Sequence, residues 1–379
     1  MPLPFDGLRV VALEQAVAGP FCSRQLADLG ADVVKIERPD GGDSARGYDA
    51  SMNGTSAYFA WLNRGKRSVV LDLKTKDDRD ACGALIDVAD VVIHNLAPGA
   101  MERLGFGYDA VRERNPPVIW CGISGYGPDG PMRDRKAYDM LVQAESGVVA
   151  VTGSEAEPAK VGISIADIAS GLYAYSSILT ALLVRERRGL GERIDISMLE
   201  CLTEWMTPAL YVWLGANREV ARTGVRHNMI VPYGAYACAD GNVMLAIQTD
   251  REWRRFCVDV MRDATLADDP RYVTNADRLA NRIELEAGIE ARFAPLPRAE
   301  VLARLEGADI ATASVNGVAD VAEHAQLRAR KRWHGVDSPF GMIPALLPPH
   351  NLAHATPLMG RVPALGEHTE QVLRELRFP

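Results

Sequence analysis

LRVVALEQAVAGPFCSRQLADLGADVVKIE, residues 8–37, holds two apolar runs on either side of a helix-length segment. Leu8–Leu13 and Val33–Glu37 are rich in branched aliphatic residues and bounded by loop signals, so each reads as a strand. Gly19-Pro20 marks a loop, and the spacing predicts a helix over about Cys22–Leu29, closed by Gly30. Strand, helix and strand in so short a span make a βαβ unit, whose strands pair in parallel.

The same alternation continues downstream: a strand at Ser68–Leu73, a helix at Arg79–Ala89, a strand at Asp90–Asn95, a short helix at Ala100–Leu104 and a strand at Pro117–Ser124. This predicts an α/β fold with a doubly wound parallel sheet. A long helix is expected over Ile168–Arg187, stopped by Gly189, then the strand Arg193–Met198 and an apolar helical stretch from Leu199 to about Leu214. Two short strands, Gly234–Asp240 and Asn242–Thr249, open a charge-rich region that reads as a smaller α+β domain. The expected division is a large domain over 1–200, a linker over 201–229, the small domain over 230–320 and a Pro-rich C-terminal segment over 321–379 that wraps over other elements.

The 379 residues are 47% hydrophobic and 24% charged, which excludes a disordered chain. A net charge of −8 argues against a general nucleic-acid binder. Six dispersed Cys with no CxxC pair, and His residues without metal-ligand spacing, predict neither a disulfide framework, a zinc site nor any other metal. No secretory signal is expected in MPLPFDGLRVV, so a reducing cytoplasm is the expected compartment. Val161–Val184 is long enough to span a bilayer, but it carries Asp167, several hydroxyl groups and two Tyr, so a buried helix is expected instead of a membrane segment.

The turn EQAVAGPFC lacks the G-x-G-x-x-G needed for a dinucleotide, which excludes a dehydrogenase, and there is no Walker loop, H-E-x-x-H or G-x-S-x-G. Asp167 stands out as a lone acid where a long helix begins. A helix cap and a catalytic acid both fit it, and the two roles are compatible. Lys35, Arg38, Lys66, Arg67, Lys74, Arg103 and Lys136 fall mostly beside strand ends, where open α/β sheets bind ligands. Together they could offset the phosphates of an anionic ligand.

Several long segments in one order, among them residues 8–47, YFAWLNRGKRSVVLDLK, ADVVIHNLAPGAMERLGFGYD, VIWCGISGYGPDGP and DIASGLYAYSSILTALLVRERRGLGERIDISMLE, resemble the class III CoA-transferase family of the CaiB/BaiF type, which includes the α-methylacyl-CoA racemases. The resemblance covers nearly the whole chain. It implies a large Rossmann-like domain, a small domain, return of the C-terminus to the large domain and an interlocked homodimer. It implies that Asp167 is a nucleophile forming an aspartyl-CoA thioester, with coenzyme A, as acyl-CoA substrate, held by Arg38, Leu71, Lys74, Asn95, Arg103 and Lys136. Tyr58 and Tyr138 match positions lining the acyl site.

Two departures refine this expectation. The racemases carry a His before the Asp where this chain has Tyr138-Asp139, which favours CoA transfer over the alternative of racemisation or epimerisation. Formyl-CoA transferases have Gln where Val17 stands and glycines near Ala246–Asp250, so oxalate and formate are poor substrate expectations. The chain looks most like the subgroup that moves CoA from succinyl-CoA to C4–C5 dicarboxylates such as malate, mesaconate, citramalate and itaconate. Arg46, Tyr48, Arg226 and His227 are the candidates to bind the acceptor and its second carboxylate.

Overall fold

The computed structural model describes residues 3–377. The chain divides into two compact units, one formed by residues up to 149, 160–210 and 326 onward, the other by 150–159 and 211–325.

The first unit is built on six parallel strands: β1 (Arg9–Leu13), β2 (Asp32–Glu37), β3 (Arg67–Val70), β4 (Val91–His94), β5 (Ile119–Ser124) and β6 (Glu192–Ser197). Their spatial order is β3-β2-β1-β4-β5-β6. The order reverses between β1 and β4, and the crevice beyond their C-terminal ends is where such sheets place ligands. Alternate residues of each strand point to opposite faces; both faces of β1, β2, β4 and β5 are covered, so these read as nearly continuous apolar runs, whereas the edge strand β6 alternates, with Glu192, Arg193 and Asp195 exposed. Val10, Ala12, Val33, Ile93 and Cys121 pack on one side with Leu26, Ala174 and Ile178. Val11, Leu13, Val34, Ile36, Val92 and Trp120 pack on the other with Leu85, Ile86 and Val372.

Helices α1 (Ala18–Asp28) and α2 (Ala57–Asn63) follow β1 and β2, and α3 (Lys76–Asp87), α4 (Ala100–Leu104) and α5 (Tyr108–Arg114) follow β3 and β4. After β5 come α6 (Asp139–Glu145), a single turn α7 (Val148–Val151) and the long α8 (Ile165–Arg188), closed by Gly189 in the left-handed conformation. Helix α1 starts four residues before the sequence expectation because Gly19-Pro20 lies inside its first turn, where proline's missing N–H costs nothing. Helix α8 is long and apolar enough to cross a membrane. Here its apolar face lies against α1 and the sheet, with Ala166, Ala169, Ala174 and Ile178 fully buried.

The single helical stretch expected from Leu199 to about Leu214 is two helices, α9 (Met198–Trp205) and α10 (Thr207–Ala216). In the second unit, β7 (Tyr233–Cys238), β8 (Gly241–Ala246) and β9 (Ala311–Ala313) form an antiparallel sheet. Tyr236, Val243 and Leu245 bury against Trp253, Phe256, Ile289 and Phe293. The Pro-rich tail holds a hairpin missed from sequence, β10 (Trp333–Val336) with β11 (Ile343–Leu346), and ends in the helix Thr369–Arg377, whose Val372 joins the core of the first unit.

Candidate active site

Asp167 is the third residue of α8 rather than its cap. The cap comes from another helix: Asp139 Oδ1 accepts the N–H of Ala166 at 2.8 Å and of Asp167 at 3.3 Å. Asp139 Oδ2 takes a hydrogen bond from Gln143 at 2.7 Å, and Gln143 Oε1 accepts the Val161 N–H at 2.8 Å, which fixes the approach to the helix. The Asp167 carboxyl is thereby left without a hydrogen-bond partner among the described residues. Burial raises its pKa from 3.8 to about 7, with the negative charge of Asp139 adding to the effect. An unpartnered carboxylate poised to ionise near neutrality is equipped to act as a nucleophile.

Asp139→Asn separates the two jobs of this residue, because the amide keeps an oxygen for the cap and loses the charge. The expected result is that the acid limb of the rate–pH profile moves to lower pH, since a negative neighbour no longer opposes ionisation of Asp167. An unmoved limb in an otherwise active variant would refute the coupling.

Gly171 lies one turn beyond Asp167 on the same helical face. A Cβ there would meet the Ala18 carbonyl at 2.6 Å and Phe21 at 3.0 Å, so only glycine lets α8 come this close to the start of α1. From Phe21 a row of aromatic rings runs through Trp61 (5.6 Å between centroids) and Tyr58 (6.3 Å) to Tyr48 (5.8 Å). Tyr58, expected to line the acyl site, and Tyr48, expected to bind the acceptor, are thus brought together.

At the C-terminal ends of β1–β3 is a cavity of about 250 Å³ lined by Gln15, Arg38, Leu71 and Lys74. An adjoining cavity of about 520 Å³ shares Leu96 with it and includes Arg103. Three of the six residues expected to hold CoA therefore meet in one cavity and a fourth lines its neighbour. Lys136 and Tyr138 are exposed between β5 and α6. The sixth, Asn95, faces the backbone of Gln15.

A model of CoA-transferase family III matches residues 5–369. The chain belongs to this family. It is a CoA-transferase, similar to a succinate–glutarate CoA-transferase of Agrobacterium fabrum (35% identity, 98% of this chain and 96% of the relative). It is also similar to an acetyl-CoA:oxalate CoA-transferase of Acetobacter aceti (37%, 86% and 84%). Among solved structures, a CaiB/BaiF family protein from Brucella suis matches with a TM-score of 0.86 at 34% identity, over 99% of this chain and 100% of that one.

Several residues expected to bind ligands in the transferase have protein partners in this structure. Arg46 makes a two-pronged ion pair with Glu37, both contacts 2.8 Å, donates to the Pro363 carbonyl and stacks on Phe59. Its guanidinium is taken, and Glu37, held down at about 2 against its burial by Arg46 and Lys35, is the partner. Arg226, in the second unit, is likewise engaged by Glu286 (2.7 Å) and Glu290 and lies over Tyr236. His227 accepts the N–H groups of Met229 and Ile230 on Nδ1 and stacks on Tyr233, so it shapes its own loop. In this structure the side chains of these three residues are engaged by protein partners.

Lys35 and Lys66, expected among the cations facing a ligand's phosphates, are members of a fully buried cluster. Lys66 reaches Glu14 at 2.7 Å, the Pro20 carbonyl and Asn63; Lys35 reaches Glu14 at 3.4 Å and Asp43 at 2.8 Å; Ser23 donates to Glu14 as well. Burial pushes the Lys66 ammonium down to about 8, while Glu14 stays below the ordinary carboxylate range because the two lysines outweigh its burial. Arg67 pairs with Asp32 and Glu375 at the edge of the sheet. Glu14, Gln15 and Asp43 went unread in the sequence: Glu14 meets Lys66 52 residues on, Gln15 meets Asn95 80 residues on and Ala16 meets Asp43 27 residues on, and no local spacing marks these contacts.

Proposed function

We propose that the enzyme moves CoA from an acyl-CoA, with succinyl-CoA as donor, to a C4–C5 dicarboxylic acid through an aspartyl-CoA thioester on Asp167. The observation that carries this reading is the unpartnered Asp167 carboxyl, with ionisation near neutrality, one helical turn before Gly171, where α8 packs on Phe21 at the end of the aromatic row. An Asp167 oxygen attacks the donor's carbonyl carbon, and the C–S bond breaks to give a mixed anhydride and CoA thiolate. The thiolate then attacks the Asp167 carbonyl, leaving the thioester and releasing the donor acid as its carboxylate. The acceptor carboxylate repeats the two steps in reverse, so no net proton or electron is exchanged and Asp167 is regenerated.

The oxygens of Asp139 are both engaged, one on α8 and one on Gln143, and Tyr138 precedes it. No acid–base pair for an α-proton is formed at this position, which weighs against racemisation. The succinate–glutarate relative supports straight-chain C4–C5 acids, while the oxalate relative makes acceptor length the property to measure. The exposed Tyr211, Trp213 and Leu214 of α10 support a homodimer, and six free cysteines suit a reducing cytoplasm.

The test mixes purified enzyme and succinyl-CoA with succinate-length, glutarate-length and branched dicarboxylates, with oxalate and with a monocarboxylate, and reads new CoA esters by mass spectrometry. Fastest exchange with a C4–C5 diacid is expected. Preference for oxalate overturns the acceptor, and label exchange at an α-carbon without any acceptor overturns the reaction.

A further inference from the structure

The order of the sheet reverses between β1 and β4, and the two chain segments leaving those strands are tied to each other there. Asn95, directly after β4, holds both backbone groups of Gln15, two residues after β1: its Nδ2 donates to the Gln15 carbonyl and its Oδ1 accepts the Gln15 N–H, each at 2.8 Å. The next residue, Ala16, sits at φ 60°, a conformation that costs an L-residue and persists only where its surroundings impose it. Its N–H is taken by Asp43 Oδ1 at 2.9 Å, and the other oxygen of Asp43 is anchored on buried Lys35. A Cβ on Gly19 would lie 2.9 Å from Glu14 Cβ and 3.4 Å from Asn95 Cγ, so the helix start has also been kept bare for this arrangement.

A turn held this firmly presents one group outward. The Gln15 side chain is exposed at the cavity that holds Arg38, Leu71 and Lys74, and among the described residues its carboxamide has no hydrogen-bond partner. A carboxamide offers a donor and an acceptor side by side, which is the complement of another amide. CoA carries two such amides in the arm that joins its nucleotide to its sulfur. Arg38 and Lys74 suit the phosphate end, whereas neutral Gln15 does not.

We infer that Gln15 hydrogen-bonds an amide in the arm of the acyl-CoA and that Asn95 is a positioning residue that aims it, rather than a direct CoA ligand. This rests on the reading of the chain as acting on CoA thioesters. The two residues then form a unit, and their effects on binding must not add.

The experiment is calorimetric titration of the full-length enzyme with CoA and, separately, with adenosine 3′,5′-bisphosphate, which has the nucleotide end and no amide arm. Gln15→Leu is expected to weaken CoA about five-fold, the value of one neutral hydrogen bond, and to leave the bisphosphate unchanged. Asn95→Leu should show the same selectivity, and Q15L/N95L should bind CoA no more weakly than N95L alone. Equal weakening for both probes, no weakening by Q15L, or additive losses would each overturn the inference. Q15L changes an exposed side chain and leaves the clamp in place, so it reports even where N95L does not fold. An enzyme that binds CoA with this pattern but transfers it to no acid refutes the proposed function and leaves the inference standing. One that binds neither probe refutes both.

Discussion

Asp167→Asn is expected to abolish CoA transfer while the protein remains folded, with no thioester trapped by hydroxylamine. The amide is nearly the same size, and the hydrogen bonds around α8 involve the backbone of residue 167, not its side chain. The expected loss is several orders of magnitude in kcat, because the covalent route disappears rather than slows. The raised pKa adds a second expectation. A carboxyl whose folded pKa lies near 7, above its unfolded value of 3.8, favours the fold in its protonated form. That contribution is fully present below the unfolded value and is lost as pH rises through about 7. At pH 8 the asparagine variant should therefore be at least as stable as the parent, whereas near pH 4 the advantage disappears. Denaturation midpoints at the two pH values check this, and retained transfer at any pH would sink the mechanism.

The second large effect is on stability. Glu14→Met leaves Lys35 paired with Asp43 and Lys66 buried with no carboxylate in ion-pair contact among the described residues. Removing one member of a buried ionic cluster costs about 3–5 kcal/mol, because the remaining charge is not solvated. The loss should appear as faster hydrogen exchange in peptides covering β1 and the start of α1. Changing Glu14 and Lys66 to Met together should recover much of it, since Lys35 keeps Asp43 at 2.8 Å and the apolar pair fills the space. A single variant as stable as the parent would mean that water reaches the cluster and that it does not hold the turn.

The parallel sheet was legible because its inner strands are buried on both faces and separated by turn signals, which leave local marks. Asp167 was legible for a related reason, as a lone charge in an apolar run. Its partner was only half legible. Asp139 caps a helix that starts 26 residues later, and nothing in either segment records that they meet. The same limit explains the arginines. Arg46 and Arg226 have the right chemistry for a carboxylate, but Glu37 and Glu286 satisfy it, and a sequence does not distinguish a protein carboxylate from a substrate's. Lys35 and Lys66 looked like surface cations beside strand ends until burial with Glu14 and Asp43 was seen. The Pro-rich tail hid a hairpin because Pro344 sits within β11, a residue that ordinarily argues against a strand.

The tail carries one more consequence. Gly360 approaches Gly65 so closely that a Cβ would lie 2.5 Å from the Gly65 α-carbon, Gly65 donates to the Arg361 carbonyl, Val70 to the Thr369 hydroxyl, and Leu358 to the Asp28 carbonyl. The edge strand β3 thus completes its contacts with residues made after the whole of the intervening segment 211–325. The segment 211–325, nearly all of the second unit, emerges before that closure. During synthesis the chain must hold a half-closed sheet through the production of a whole intervening unit, and a truncation of a few dozen C-terminal residues opens the sheet's first edge rather than trimming a loose end.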